Sequence, residues 1–259
     1  VQWAFQTRNE VIIFPAAGTG GLEAAVVNFI SPGDKVLAVS IGVFGNRFAE
    51  IAGRFGAQVE KMDFEWGQAA DPEMIGERLK ADKDGEIKAV LVTHNETSTG
   101  VTNNMPAIKK AMGDHPALLM VDAVSSLGAM ELRTDEWGLD VVVTGAQKAF
   151  MLPPGLAFLS ISPRAWDAAG RCTSPKYYWD LGSARKYREK GQTPYTPAIP
   201  LLTGLRESLR MMKEEGQARA FARHALMRDM TREAMRAMGL KLLCEDAISS
   251  TAVTAVKAP

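Results

Sequence analysis

The chain has 259 residues, 46% of them hydrophobic, and its 30 Lys and Arg balance 30 Asp and Glu to a formal net charge of zero. That length suffices for a large core burying roughly 70–75% of the unfolded surface, and the charge balance offers no general attraction for nucleic acid or an anionic membrane. Cys172 and Cys244 lie far apart, as do His94, His115 and His224. Neither a metal site nor a disulfide framework is therefore expected, and no run approaches the ~18 apolar residues of a membrane span.

Val1 is not an initiator methionine, residues 1–5 read like the interior of a domain, and residues 250–257 break off like an interrupted strand. More chain is expected on both sides. Two reduced thiols suit the cytoplasm, with organellar targeting left open because the amino-terminal end is expected to be incomplete.

From the amino terminus, short β-branched runs alternate with helical patterns, which predicts a parallel sheet with crossover helices. Residues 11–15 form the first predicted strand, followed by a turn at 16–21 and a helix over 22–30 that ends at Ser31-Pro32-Gly33-Asp34. A strand at 35–40, a helix at 44–55, a strand at 58–62 and a helix at 72–80 follow. The runs 87–93, 118–122 and 139–144 are almost wholly apolar, as in strands covered on both faces; a helix at 106–112 separates the first two. A strand at 156–161 completes the sheet. Residues 171–200 hold four prolines and all four tyrosines with no clear period, so an irregular excursion is expected. Helices follow at 201–215 and 217–238, and strands at 240–243 and 250–257. The predicted division is a large domain over 1–200, a connecting helix over 201–216, and the start of a small domain over 217–259.

Three features bear on chemistry. Gly18-Thr19-Gly20-Gly21, between a strand and a helix, is either a cramped turn or an anion cradle at a helix N-terminus. Asp122 ends a buried strand, where ligands of open α/β sheets bind; a helix cap is the competing role. Lys148 follows the next strand in Thr144-Gly145-Ala146-Gln147-Lys148, a place where many lysines are simply solvated. Together, an amine, a carboxylate and a phosphate cradle meet the needs of pyridoxal phosphate: imine formation, a partner for the pyridine nitrogen, and charge compensation.

The sequence resembles the class V aminotransferases of pyridoxal-phosphate fold type I, closest to the alanine–glyoxylate and serine–glyoxylate group. The resemblance rests on Gly18-Thr19-Gly20-Gly21-Leu22-Glu23-Ala24-Ala25, Thr93-His94-Asn95-Glu96-Thr97-Ser98-Thr99-Gly100, Val121-Asp122-Ala123-Val124-Ser125-Ser126-Leu127-Gly128 and Thr144-Gly145-Ala146-Gln147-Lys148. It implies an α/β large domain with a mostly parallel central sheet, followed by the start of a small α+β domain. It also implies a homodimer with shared active sites, and transamination between alanine or serine and a 2-oxo acid such as glyoxylate or pyruvate.

By the same resemblance, Lys148 is the Schiff-base lysine and Asp122 the partner of the pyridine nitrogen. Phe44 stacks on the ring, and Val124 lines its opposite face. Gly18, Thr19, Gly20 and Gln147 surround the phosphate, Thr97 lies near the cofactor, and Thr196 reaches the phosphate of the neighbouring subunit. Thr193 departs from the tyrosine familiar at its position. Gln147, where cysteine desulfurases carry histidine, speaks against desulfuration, and His94 is expected to pack behind the site. The arginine that reads the substrate carboxylate lies beyond the end of this sequence. The alternatives are another class V reaction (ureidoglycine–glyoxylate transamination, desulfuration or lyase chemistry) and a non-catalytic interaction protein that keeps the scaffold.

Overall fold

The structure, a computed structural model, describes residues 1–258. A short helix α1 (Gln2–Phe5) precedes β1 (Glu10–Phe14), α2 (Gly18–Phe29), β2 (Lys35–Ser40), α3 (Val43–Arg54), β3 (Gln58–Asp63) and α4 (Pro72–Ala81). Next come β4 (Ile87–Thr93), a small hairpin of β5 (Asn95–Glu96) and β6 (Val101–Thr102), α5 (Met105–Met112), β7 (Leu118–Asp122), β8 (Val141–Gly145) and β9 (Ala157–Ile161). Four helices follow, α6 (Pro163–Ala169), α7 (Leu181–Glu189), α8 (Ile199–Glu215) and α9 (Gln217–Ala237), and an irregular segment after α9.

Seven strands form one sheet in the order β1-β9-β8-β7-β4-β2-β3. The pairs from β3 to β8 are parallel, and β9 runs antiparallel to both β8 and β1. The central strands are apolar throughout because each face has its own helical layer. Ala89, Leu91, Met120, Val141 and Val143 pack toward α2 and α3. Val90, Val92, Leu119, Val121 and Val142 pack toward α4, α5 and α8. Edge strand β3 is instead half-exposed and charged, which discourages pairing with another sheet. At the other edge α7 lies against β1, and Arg185 and Arg188 grip Glu10 at 3.0 and 2.6 Å.

The predicted strands stand within two residues of the observed ones along the main sheet. Three expectations change. The helix predicted from residue 22 begins at Gly18, so the glycine-rich segment is its first turn rather than a turn before it. The excursion at 171–200 contains α7, whose buried face is only Leu181 and Ala184, too short a stripe to register as periodicity. Residues 240–243 and 250–257 form no strands. Leu242 and Val256 make a single antiparallel bridge, Ser249 bridges to Val101, and a 3-10 turn spans Asp246–Ile248. Two short segments that meet over so few residues lack the neighbours a stable ladder needs.

Candidate active site

The parallel register aligns Thr93 of β4 with Asp122 of β7, and Asp122 with Val143 of β8. These strand ends open on one edge of the sheet, where side-chain alternation gives way to loops able to hold a ligand. Asp122 is 3% exposed. Its Oδ1 accepts the backbone N–H of Val124 at 2.9 Å, and among the described residues no donor reaches Oδ2. Burial raises its pKa from 3.8 to about 7. The Val124 N–H opposes that rise, Glu96 adds to it, and Arg47 and Lys148 work against it. A carboxylate held this far from water awaits a cationic or hydrogen-donating partner.

Lys148 sits one turn beyond β8. The N–H of Ala146 bonds to Leu156 O at 2.9 Å and the N–H of Met151 to Lys148 O at 2.9 Å, closing a tight corner. Met151 takes a left-handed conformation there, φ 56°, which costs a side-chain-bearing residue about 1–2 kcal/mol. The lysine is exposed and lines a cleft of about 420 Å³ with Thr97, Ser125, Met151, Arg223 and His224.

The N-termini of α2 and α3 differ from those of α4, α5, α6 and α7, although α8 likewise has no side-chain cap. Helices α4, α5, α6 and α7 are each capped by the residue before them, Asp71, Asn104, Ser162 and Asp180. Neither α2 nor α3 has a cap of this kind. In α2 the first N–H groups, on Gly18, Thr19 and Gly20, therefore have no acceptor within the helix and form a ready anion site. Gly18 is required by close approach, since a Cβ there would lie 2.7 Å from Val124 Cγ2. Thr19 Oγ1 accepts Arg47 Nη1 at 3.2 Å. Gln147 Oε1 is buried without a hydrogen-bond partner, an arrangement that costs about 1–3 kcal/mol unless a ligand satisfies it.

Phe44 occupies the first turn of α3, with the Arg47 guanidinium 4.7 Å above its ring. His94 is buried, its basicity pushed down to about 4 by burial alone, and it meets Trp137 edge-on at 6.1 Å. Thr196 is not brought to this cluster within its own chain. It lines a separate cleft of about 270 Å³ against β1, with Phe14, Arg188 and Tyr195. The loop that carries it is organised by Tyr178 stacked on Tyr195 at 4.8 Å and by the Tyr195 hydroxyl donating to Tyr177 O at 3.0 Å. Sequence reasoning passed over Glu96, which is fully buried between Phe44 and Ser98. The available signal was an acidic residue in an otherwise uncharged run directly after a buried strand.

The aminotransferase class-V family pattern matches residues 1–257. The chain belongs to the class V aminotransferases. It is 47% identical over 260 residues to the soluble hydrogenase 42 kDa subunit of Anabaena cylindrica, covering 100% of this chain and 68% of that protein. It is 44% identical over 261 residues to the serine–glyoxylate aminotransferase of Methylorubrum extorquens, covering 98% and 65%. The crystal structure of an alanine–glyoxylate aminotransferase from Nostoc sp. superposes with a TM-score of 0.94 at 30% identity, over 100% of this chain and 69% of that one. The class V chain thus spans about two thirds of the length of these relatives. Its residues fit pyridoxal phosphate: an uncapped helix terminus over a glycine cradle, and a buried carboxylate with one oxygen free. Among the described residues no helix is long and apolar enough to cross a membrane, and no group of three or more His, Cys, Asp or Glu side chains is placed to hold a metal ion.

Proposed function

We propose that this chain is the cofactor-binding part of a pyridoxal-phosphate aminotransferase that exchanges an amino group between alanine or serine and glyoxylate or pyruvate. The observation that carries the reading is the buried Asp122 and the exposed Lys148 at adjacent strand ends beside the uncapped α2 terminus. The bound pyridine ring supplies an electron sink for the charge that develops at the substrate Cα. Asp122, ionised, would keep the ring nitrogen protonated, its free Oδ2 accepting that N–H. Lys148 would hold the cofactor covalently, and its free amine would carry the proton to and from the substrate Cα. The N–H groups of Gly18, Thr19 and Gly20, with the side-chain N–H of Gln147, would donate to the phosphate. Phe44 and Val124 enclose the ring, and Thr97 borders it from the Lys148 cleft.

Residues 1–200 hold the cofactor in this reading, 201–216 connect, and 217–259 begin the small domain. The enzyme is a homodimer in which Thr196 serves the partner's phosphate, an arrangement supported by its separation from its own Lys148 cleft. Borohydride reduction of the cofactor-loaded protein, followed by peptide mass spectrometry, should find the cofactor fixed on Lys148. Modification elsewhere, or none, would refute the assignment. A second reading, a subunit that keeps the scaffold without the activity, is favoured by the name of the Anabaena relative. It predicts no keto acid from alanine or serine with glyoxylate.

A further inference from the structure

Glu96 is 0% exposed, and four donors converge on it. Its Oε2 accepts the backbone N–H groups of Phe44 at 2.9 Å and Gly45 at 3.1 Å. Its Oε1 accepts the N–H of Ser98 at 3.0 Å and the Ser98 hydroxyl at 2.6 Å. Ser98 Oγ in turn accepts the N–H of Val43 at 3.0 Å. Three successive N–H groups of the first turn of α3, which have no acceptor inside the helix, thus end on a carboxylate and a hydroxyl from the β5 hairpin. Negative charge at a helix N-terminus is itself favourable. A Cβ on Gly42 would lie 2.5 Å from Ser98 Oγ and 2.6 Å from Glu96 Cγ, so the residue before the helix must lack a side chain for this cap to reach.

The hairpin is also tied to the loop that carries Asp122. The N–H of His94 bonds to Asp122 O at 2.9 Å. Asn95 Nδ2 donates to Ser125 Oγ at 2.9 Å, and Ser125 Oγ donates to Asn95 O at 2.8 Å. The carboxylate therefore couples two elements that lie far apart in sequence, the helix turn bearing Phe44 and the strand end bearing Asp122. An ordinary Ser or Asp cap at position 42 would hold the helix to itself alone. We propose that Glu96 is a positioning residue for the cofactor ring, holding Phe44 in register with Asp122 so that both meet the same ring. The inference rests on the function proposed above.

The test is cofactor binding by visible-absorbance titration, with amide hydrogen exchange, on wild type, Glu96→Gln, Phe44→Ala and the double variant. Glu96→Gln retains one acceptor oxygen for four donors. Exchange at Phe44 and Gly45 should then accelerate about tenfold or more, with the interior of α2 unchanged, and cofactor should bind about tenfold more weakly. If Glu96 acts through Phe44, the double variant should bind no worse than Phe44→Ala alone. Additive losses would overturn the proposal, as would exchange or affinity equal to wild type. Should Glu96→Gln fail to fold, Ser98→Ala removes one hydroxyl and should show the same signs at Val43 and in affinity; no change in either would overturn the proposal. Failure of the underlying function would appear differently, as a wild-type chain that takes no cofactor on Lys148, and would overturn both.

Discussion

Replacing Asp122 by Asn tests the electrostatic cost of the site in the cofactor-free protein. Burial is the dominant cause lifting the carboxyl from 3.8 to about 7. Between those values the folded chain keeps a proton that the unfolded chain has released. Stability therefore falls as pH rises through that window, and the full cost is carried above about pH 7. At ~1.4 kcal/mol per tenfold change in proton affinity, the cost is about 4 kcal/mol. Asn does not titrate, so Asp122→Asn should lack this slope and exceed the parent in stability by up to about 4 kcal/mol at pH 8, with the advantage vanishing near pH 4. Urea unfolding midpoints of both proteins, followed from pH 4 to pH 8.5, measure the difference. Cofactor should close the gap by giving the carboxylate a cationic partner, while transamination by the Asn variant should be slowed by orders of magnitude. Parallel pH curves for the two proteins would refute the reasoning.

Lys148→Ala should abolish borohydride-stable attachment and leave a cofactor removable by dialysis, as followed by absorbance. Gly18→Ala brings a Cβ to 2.7 Å from Val124 Cγ2; displacing the helix terminus or the ring wall should cost about 1–3 kcal/mol of cofactor affinity, measured by equilibrium titration. Met151→Asn relieves a left-handed backbone, φ 56°, and should raise thermal stability by about 1 kcal/mol. A heterodimer of Lys148→Ala and Thr196→Ala chains should retain one fully normal site if Thr196 crosses the interface, and two defective sites if it serves its own chain.

The sheet was legible in the sequence because its central strands are covered on both faces. That demand makes 87–93, 118–122 and 141–145 almost continuously apolar, and it leaves the first polar residues to mark the strand ends. Asp122 ends one such run and Lys148 follows another. The start of α2 was not legible, because glycines are poor helix formers, and Gly18 and Gly21 are admitted to its first turn where Val124 and Val143 leave no room for a Cβ. Helix α7 stayed hidden because two buried residues make no period, and the predicted strands near the carboxyl terminus failed because alternation without a neighbouring ladder is not a sheet. Glu96 illustrates the limit most plainly. Its acceptors meet Phe44 and Gly45 across 52 and 51 residues of chain, and no local pattern records such a meeting. The sequence by itself determined which segments must be buried and which chemical groups end them. The tertiary structure alone decided which distant groups satisfy one another, because a buried donor must donate to whatever acceptor the packing brings within hydrogen-bond reach.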